Sequence, residues 1–365
     1  MKPTYRWALA VTVAGAVTAA TVGAALAADK PAAAKPAAAT GYQTVPTHVY
    51  APYFQTYLKG QITPLATASG ARYFTLAFIQ TPKKGSCVPT WNGDAKEPIS
   101  AGKYLPDIAK LRAMGGDVIP SFGGFAADST GTEIADSCHS VAKVAKAYEA
   151  VVTKYRVSRL DMDVEANSLN NKAGIERRDK AIAIAQKWAT AHLHINLQVQ
   201  FTIPVEPYGL DPNELPIVAD AATDGVNVTS VNIMVFDYYL SKEGVVDMPA
   251  AGEAAAIDTH TQLAAIFPKD SAGQLWRMMS MTLLPGVDDH PNQQEVTSLA
   301  GAKQLLQFAQ SNDMLALSIW AAQRDNGGCP GATDSNTCSG VVQHPWDFSH
   351  ALEQFQYPTE RPASH

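Results

Sequence analysis

The chain has 365 residues, of which 46% are hydrophobic and 17% charged, and its formal net charge at pH 7 is −6. Charges of both signs are interspersed and form no basic stripe, which argues against a nucleic-acid-binding surface and favours an uncharged or weakly charged substrate. No second linker-like segment divides the long C-terminal part, so its length suits one large α/β barrel.

Residues 1–27 have the layout of a secretory signal peptide. Lys2 and Arg6 precede an uncharged run, Trp7–Leu26, which is rich in Ala, Val and Gly and closes with Ala25-Leu26-Ala27. A retained membrane anchor is the alternative, but the Ala, Gly and Thr content makes the run weakly hydrophobic for a spanning helix. We therefore expect a secreted, extracellular protein with no membrane contact after cleavage.

A low-complexity sequence, Lys-Pro-Ala-Ala-Ala-Lys-Pro-Ala-Ala-Ala, follows the predicted signal peptide. Its prolines block a continuous helix and it offers no large apolar side chain for burial, as in a linker. We place this Ala/Pro/Lys-rich linker at residues 28–43, one catalytic barrel at 44–358 and a tail at 359–365.

Four cysteines are present: Cys87, Cys138, Cys329 and Cys338. Export permits disulfide bonds, and four cysteines allow three pairings. Cys329 and Cys338 lie close together in a stretch rich in Gly, Pro, Asp, Asn and Ser, which favours a local bond and leaves Cys87 to pair with Cys138. A zinc site is the alternative, but the spacings match no Cys-x-x-Cys pattern, and we expect no metal.

Short apolar, β-branched or aromatic runs alternate with longer segments of helical periodicity. The predicted strands are His48–Phe54, Tyr73–Gln80, Asp117–Phe122, Val157–Val164, Asn196–Ile203, Ser230–Tyr238, Arg277–Leu284 and Met314–Trp320. The predicted helices are Tyr104–Met114, Ser140–Tyr155, Gly174–Leu193, Asn213–Ala222, Gly252–Phe267 and Val296–Gln310. This alternation predicts parallel strands joined by crossover helices, and eight strands favour a single closed (β/α)8 TIM barrel over an open nucleotide-binding sheet.

Three acidic residues share one face of the fourth predicted strand: Asp161, Asp163 and Glu165. Successive carboxylates on such a face stand roughly 6.5–7 Å apart, and C-terminal strand ends line the active-site mouth of a barrel. Because three acids in one site cannot all ionise freely, at least one is expected to hold a proton near neutral pH, as a general acid requires. A solvated acidic edge is the alternative, whereas a calcium loop is disfavoured because Ala166 stands where glycine is needed.

The motif Asp161-x-Asp163-x-Glu165 resembles the signature of glycoside hydrolase family 18, the chitinases and their relatives. Ser121-Phe122-Gly123-Gly124 resembles the Ser-x-Gly-Gly of that family's third strand. Met234-Val235-Phe236-Asp237-Tyr238 lies where the family has Met-x-Tyr-Asp, and Ser318-Ile319-Trp320 resembles the end of its eighth strand. The resemblance spans most of the predicted barrel, in order, and is nearest to secreted bacterial chitinases with Met-x-x-Asp-Tyr on strand six.

This resemblance implies retaining, substrate-assisted hydrolysis of β-1,4-linked N-acetylglucosamine polymers. Glu165 would protonate the glycosidic oxygen, Asp163 would orient the substrate's acetamide, and Asp161 would share a proton with Asp163. No cofactor is implied, because the substrate supplies the nucleophile. The residues expected to bind substrate are Met234, Phe236, Asp237 and Trp320.

Two positions depart from the family pattern. Ser158 replaces a further Asp three residues before Asp161, and Phe236 replaces the tyrosine that hydrogen-bonds the acetamide. Tyr238, predicted to lie on the same strand face as Phe236, would supply that hydroxyl as a catalytic residue.

Two other functions stay open at this point. One is a non-catalytic lectin that binds chitin or another glycan on the same barrel, which the missing hydroxyl at Phe236 keeps open although Glu165 favours an enzyme. The other is an endo-β-N-acetylglucosaminidase that cuts the chitobiose core of N-glycans. We expect chitin or chitooligosaccharide as the partner and a monomeric protein.

Overall fold

The computed structural model describes residues 41–238, 246–289, 295–333 and 335–355, all within one compact unit, Ala38–His365. The predicted signal peptide, most of the predicted linker and the predicted tail lie outside the described residues. In the part of the chain that is described, no helix is long and apolar enough to cross a membrane.

Parallel strands form the central sheet, as the alternating pattern predicts. In chain order the strands are β1 (Val49–Tyr50), β2 (Tyr53–Gln55), β3 (Tyr73–Gln80), β4 (Thr90–Trp91), β5 (Asp117–Gly123), β6 (Arg159–Asp163), β7 (Gln198–Pro204), β8 (Val228–Met234), β9 (Met279–Leu283), β10 (Gly286–Val287), β11 (Val296–Thr297) and β12 (Ala316–Ile319). The main sheet has the order β1-β12-β9-β8-β7-β6-β5-β3-β2. β1 and β2 are two parts of one segment, interrupted at Ala51 and Pro52, and they pair with β12 and β3 respectively. The predicted (β/α)8 barrel is therefore confirmed.

Helices follow the barrel strands in the described chain. They are α1 (Ile62–Ser69), α2 (Leu105–Ala113), α3 (Phe125–Thr130), α4 (Ile134–Ser137), α5 (Val141–Tyr155), α6 (Lys172–Leu193), α7 (Leu215–Thr223), α8 (Met248–Ile266), α9 (Ala272–Trp276), α10 (Leu299–Ser311) and α11 (Asp347–Leu352). The six predicted helices are present with shifted ends, and α1, α3, α4, α9 and α11 were not predicted. These five are short, and a helix of one or two turns leaves too few apolar repeats to be recognised.

Helix α5 shows how local sequence covers the barrel. Ser140 caps it by accepting the Lys143 N–H, and Arg156 ends it in the left-handed region at φ 52°. Val144 and Tyr148 are buried on its inner face, in the same apolar cluster as Leu160, Met162 and Val164 of the β6 segment. The apolar face of β6 is thus covered, which leaves its acidic residues to point into the barrel.

The sixth barrel strand ends earlier than predicted. β8 stops at Met234, and Asp237 has a left-handed φ of 56°. The alternation of faces along an extended strand therefore does not continue to Tyr238. The prediction that Phe236 and Tyr238 share one strand face is wrong, because the chain has left the sheet before either residue.

Both predicted disulfide bonds are confirmed. Cys87 bonds to Cys138 with a Cα–Cα distance of 4.8 Å, and Cys329 bonds to Cys338 with a distance of 6.0 Å. The first bond bridges a sequence separation of 51 residues and joins the chain after β3 to the end of α4. Closing a loop of that length stabilises the fold by about 4 kcal/mol in the chain-entropy model.

Candidate active site

The acidic side chains of the fourth barrel strand become more exposed towards its C-terminal end, at the mouth of the barrel. Asp161 is fully buried and Asp163 is 3% exposed, whereas Glu165, just beyond the end of β6, is half-buried. Glu165 has extended backbone angles, φ −137° and ψ 178°, so the alternation of faces holds up to this residue. The three side chains predicted to act together are therefore in phase, at the C-terminal end of the strand.

Asp161 is held by four side-chain donors. Ser121 Oγ and Thr202 Oγ1 donate at 2.6 Å each, and Tyr53 Oη and Gln200 Nε2 donate at 3.0 Å each. Burial raises the pKa of Asp161, and the hydrogen bonds from these donors oppose that rise because they stabilise the ionised form. Asp161 is thereby fixed in one orientation behind Asp163.

The donors belong to a polar layer inside the barrel. Asn232 Nδ2 donates to Thr202 Oγ1 at 2.9 Å and to Thr282 Oγ1 at 2.8 Å, which links β7, β8 and β9. Sequence reasoning missed this layer. Its signal is the recurrence of polar residues at alternate positions of three successive strands, namely Gln200 and Thr202, Ser230 and Asn232, and Ser280 and Thr282.

The carboxyl groups of Asp163 and Glu165 are neighbours, and each affects the pKa of the other. Burial, followed by the charges of Glu165 and Asp161, raises the pKa of Asp163 well above its usual value. Burial also raises the pKa of Glu165 to about 7. The series therefore retains protons near neutral pH, as expected for three crowded carboxyl groups. Asp163 Oδ1 is buried and has no hydrogen-bond partner among the described residues.

Two glycines at the end of β5 allow close approach to its two neighbouring strands, Gly123 to β6 and Gly124 to the Phe78 ring of β3. A Cβ on Gly123, at φ 101°, would stand 2.0 Å from the Asp163 carbonyl oxygen, and one on Gly124, at φ 84°, would stand 2.5 Å from the Phe78 ring. Only glycine fits such contacts at positive φ. These residues of the Ser-x-Gly-Gly motif thus shape the turn beside Asp163.

An aromatic surface lies at the ends of β12 and β3. The Trp320 ring is partly exposed, stacks on Phe78 with a centroid distance of 5.5 Å and an interplanar angle of 17°, and lies 5.5 Å from the Tyr53 ring. Tyr53 in turn donates to Asp161. The predicted sugar-binding tryptophan is therefore joined to the carboxyl series through one tyrosine, a link that the sequence did not indicate.

A second carboxyl pair lies beyond the end of β8. Burial, followed by a hydrogen bond with Asp288, raises the pKa of Asp237 to about 10, and the charge of Glu165 adds to the rise. The Asp237 N–H donates to Asp288 Oδ2 at 3.0 Å. Asp237 is thus a neutral carboxyl near Glu165 at neutral pH. Arg324, buried itself, pairs with the adjacent Asp289 at 3.1 Å.

The remaining residues predicted at this strand end have less direct positions. Met234 and Phe236 are 7% and 9% exposed and join the apolar core. Tyr238 is 2% exposed, and its hydroxyl has no hydrogen-bond partner among the described residues, Asp163 and Glu165 included. Its pKa is raised well above the usual value by burial and by the carboxyls of Glu295, Glu206 and Asp288. Its catalytic role stays a prediction.

Asp128 is a site residue that sequence reasoning missed. It is fully buried on α3, and its Oδ2 accepts the main-chain N–H of Glu165 at 2.6 Å. A pocket of about 400 Å³ is lined by residues that include Asp128, Asn167 and Lys84. Among the described residues, no group of three or more His, Cys, Asp or Glu side chains is arranged to hold a metal ion.

Known proteins resemble this chain over most of its length. The "Probable bifunctional chitinase/lysozyme" of Escherichia coli (strain K12) is 32% identical over 298 residues, which cover 79% of this chain and 32% of that protein. Endochitinase 11 of Metarhizium anisopliae is 31% identical over 289 residues, which cover 77% of this chain and 53% of that protein. The chain thus spans between a third and about half the length of these curated relatives. No protein-family model matches the chain.

Solved structures of chitinases also resemble this chain. The catalytic domain of a hyperthermophilic chitinase from Pyrococcus furiosus superposes with a TM-score of 0.75 at 27% identity, covering 88% of this chain and 99% of that domain. Solved chitinases of glycoside hydrolase family 18 at 11–13% identity share the fold.

Proposed function

We propose, on the premise that this barrel is a chitinase-like domain of glycoside hydrolase family 18, that the chain hydrolyses β-1,4 bonds between N-acetylglucosamine units. The observation that carries the proposal is the graded carboxyl series. Asp161 is buried and held by four donors, Asp163 is buried with one oxygen unpaired, and Glu165 is half-buried with a pKa of about 7. One carboxyl is thus fixed, one is available to a ligand, and one can exchange a proton.

Glu165 is proposed as the general acid. A carboxyl with a pKa of about 7 carries its proton at mildly acidic pH and delivers it to the glycosidic oxygen as the bond from that oxygen to the anomeric carbon breaks. The bonding electrons stay with the leaving oxygen. Glu165 is then a carboxylate and accepts the proton of the water that completes hydrolysis.

Asp163 is proposed to hold the substrate's acetamide. The acetamide carbonyl oxygen attacks the anomeric carbon and forms an oxazolinium ion, which water later opens with retention of configuration. Because Asp163 Oδ1 is buried without a partner among the described residues, it is free to accept the acetamide N–H. Burial, with the charges of Glu165 and then Asp161, raises the pKa of that carboxyl and favours its protonated form.

Trp320 is proposed to support the sugar ring. Its partly exposed ring, braced by Phe78 and Tyr53, offers an apolar face to a pyranose. Asp237 would contribute a neutral carboxyl that both donates and accepts hydrogen bonds with sugar hydroxyls. A solved mutant of the Pyrococcus furiosus chitinase is described as complexed with chito-oligosaccharides, which supports this class of ligand for the present chain.

A glycan-binding protein without catalysis is the second candidate. Phe236 lacks the hydroxyl that the family tyrosine gives to the acetamide, and the Tyr238 hydroxyl makes no hydrogen bond to Asp163 or Glu165. Losing one such donor commonly slows chemistry about 100- to 1,000-fold.

The name of the Escherichia coli relative includes lysozyme, so peptidoglycan is a further substrate to test.

The test is hydrolysis of fluorogenic chitobiose and chitotriose glycosides by the purified chain, beside Glu165→Gln. Glu149→Gln, which changes a buried glutamate on α5, is the matched control. We expect turnover by the wild type and by Glu149→Gln, and none by Glu165→Gln. Binding of chitooligosaccharide without turnover would establish the lectin function, and neither turnover nor binding would contradict both candidates and direct the search to peptidoglycan and N-glycans.

We further propose that the protein is exported by the segment at residues 1–27 and acts outside the cell as a monomer. The disulfide bonds of the described barrel suit an oxidising compartment. Secretion from a host that recognises such signals, followed by N-terminal sequencing and light scattering, tests both statements.

A further inference from the structure

The main-chain N–H of Glu165 lies where the strand ladder has ended. In a parallel sheet, successive residues direct their peptide groups to opposite neighbours. Val164 N–H donates to Thr202 O on the β7 side, and Asp163 O accepts from Gly124 N–H on the β5 side. The Glu165 N–H must therefore face the β5 side, where β5 has already ended at Gly123 and the chain has turned into α3.

Asp128 fills that missing position in the ladder. Its Oδ2 accepts the Glu165 N–H at 2.6 Å, and its own N–H donates to Gly124 O at 3.1 Å. A Cβ on Gly123 would stand in ordinary contact, 3.4 Å, with Asp128 Oδ1, so the carboxyl group of Asp128 packs directly beside this glycine. Asp128 thus takes the place of a strand carbonyl, using a side chain that the protein buries completely.

The contact is reciprocal between the same two segments. The main-chain N–H of Phe125, the first residue of α3, is near enough to the Glu165 carboxyl to lower its pKa against the larger rise from burial. A third contact joins the following turn, where Asn167 Nδ2 donates to Ser129 O at 2.9 Å. The main chain of Glu165 is therefore held by α3, and its carboxyl lies beside the first turn of that helix.

We propose that Asp128 is a positioning residue for Glu165: its carboxyl oxygen fixes the main chain at Glu165 and so sets where the acid group stands. The role in turnover rests on the proposed hydrolysis, whereas the contact itself does not. A displacement of about 1 Å in a reacting group commonly costs around 100-fold in rate.

The hydrogen bond needs an acceptor oxygen and no negative charge. Burial, followed by the charge of Glu133, raises the pKa of Asp128 well above its usual value, and the Glu165 carboxyl adds to the rise. The Glu165 N–H and the nearby Arg178 oppose it. A neutral carboxyl still offers its carbonyl oxygen to the Glu165 N–H, and an amide of the same shape offers an equivalent one.

The experiment compares Asp128→Asn, which keeps the acceptor, with Asp128→Ala, which removes it. Asp117→Ala is the control, since Asp117 is similarly buried at the start of β5, far along the strand from Glu165, where it accepts the Val118 N–H at 2.8 Å and pairs with Arg112. For each variant, kcat and KM on the chitobiose substrate, the melting temperature and the amide proton shift of Glu165 are measured.

The expected result is a kcat lowered roughly 10- to 100-fold in Asp128→Ala with KM within about threefold, and near-complete rescue in Asp128→Asn. The Glu165 amide proton should move upfield only in Asp128→Ala. Asp117→Ala should lower the melting temperature and leave kcat and the Glu165 amide shift unchanged. Equal defects in Asp128→Asn and Asp128→Ala, or a normal kcat in Asp128→Ala, would overturn the proposal. If the wild type shows no turnover, the proposed function fails, and the amide shift still decides whether Asp128 holds Glu165.

Discussion

Ser121 and Asp161 face each other across the β5–β6 pair, and Ser121 Oγ donates to Asp161 Oδ2 at 2.6 Å. The two sequence motifs that carried the family resemblance, Ser-x-Gly-Gly and Asp-x-Asp-x-Glu, are therefore one hydrogen-bonded unit. The serine holds Asp161 at the buried end of the carboxyl series, and Gly123 of the same motif lets β5 and β6 approach each other.

Ser121→Ala is expected to slow turnover without abolishing it. Removing one of four donors weakens the stabilisation of ionised Asp161 and lowers kcat about 3- to 30-fold. Steady-state kinetics on the chitotriose glycoside measure this effect. Ser230→Ala is the control, because Ser230 is equally buried in the barrel but hydrogen-bonds Ser280 at 2.7 Å. A similar loss of kcat in both variants would argue for a general packing effect.

Tyr238→Phe is expected to leave kcat within about twofold of the wild type. The Tyr238 hydroxyl is buried without a partner among the described residues, and replacing such a group by an apolar one of the same shape is close to neutral. Kinetics on the chitobiose substrate and the melting temperature test the expectation. A 100-fold loss of kcat at unchanged stability would instead restore the predicted role of this hydroxyl at the acetamide.

The rate should fall on the alkaline side near neutral pH. Glu165 must carry a proton to act as an acid, and burial raises its pKa to about 7. We expect kcat/KM to decline about tenfold for each pH unit well above that value. Measuring kcat/KM from about pH 4 to 9 tests this decline. Activity that stays level to pH 9 would show that Glu165 is not the group that donates the proton.

The fold should be more stable at mildly acidic pH than at alkaline pH. Asp237, Glu133 and Asp179 have folded-state pKa values of about 10, 7 and 7, above the values near 4 of unfolded chains. Between the unfolded and the folded pKa value of each carboxyl, the folded state therefore binds more protons than the unfolded state. This contribution to stability is complete below about pH 4 and is lost as the pH rises through the folded values. The melting temperature should be roughly 5 °C higher near pH 5.5 than near pH 8.

Asp237→Asn isolates the largest of these contributions. The amide resembles the neutral carboxyl and cannot ionise, so the difference in melting temperature between the two pH values should shrink. Asp313→Asn is the control, because slight burial of Asp313 is outweighed by hydrogen bonds from Arg277 and His48 and its pKa is lowered. A dependence on pH that Asp237→Asn leaves unchanged would mean that this carboxyl is ionised in the folded protein.

Trp320→Ala should weaken substrate binding more than chemistry. Losing the aromatic face is expected to raise KM about 10-fold, equivalent to about 1.4 kcal/mol. Trp320→Phe should recover most of the loss. Trp276→Ala serves as the control, since Trp276 lies on α9 and stacks on His260. Unchanged KM in Trp320→Ala would remove this residue from the proposed sugar site.

The sequence was sufficient to predict the barrel and the carboxyl series. Asp161, Asp163 and Glu165 alternate with apolar residues in a strand whose two environments differ strongly, so the period of two is visible directly. The same rule failed at Tyr238, because the end of β8 depends on the left-handed Asp237 and on contacts with Asp288 that lie 51 positions away in the chain.

Asp128 could not be predicted because nothing local marks it. It belongs to a helix of six residues with one acidic side chain in its first turn, a composition as common on protein surfaces as in sites. Its importance arises only when Gly123 and Gly124 turn the chain so that α3 meets Glu165. Thr202 and Asn232 were overlooked for a related reason, since single polar residues in strands are frequent and only their shared layer is informative.

The bond between Cys87 and Cys138 closes a covalent ring around β4, α2, β5, α3 and α4. Asp128 and both motif glycines belong to the chain segment that this bond closes, whereas the Asp161–Glu165 strand end beside them does not. Production in a reducing cytoplasm should therefore lower the stability of the barrel and leave α3 less firmly fixed against Glu165. For this protein, the choice of expression compartment would govern both the yield of folded material and its specific activity.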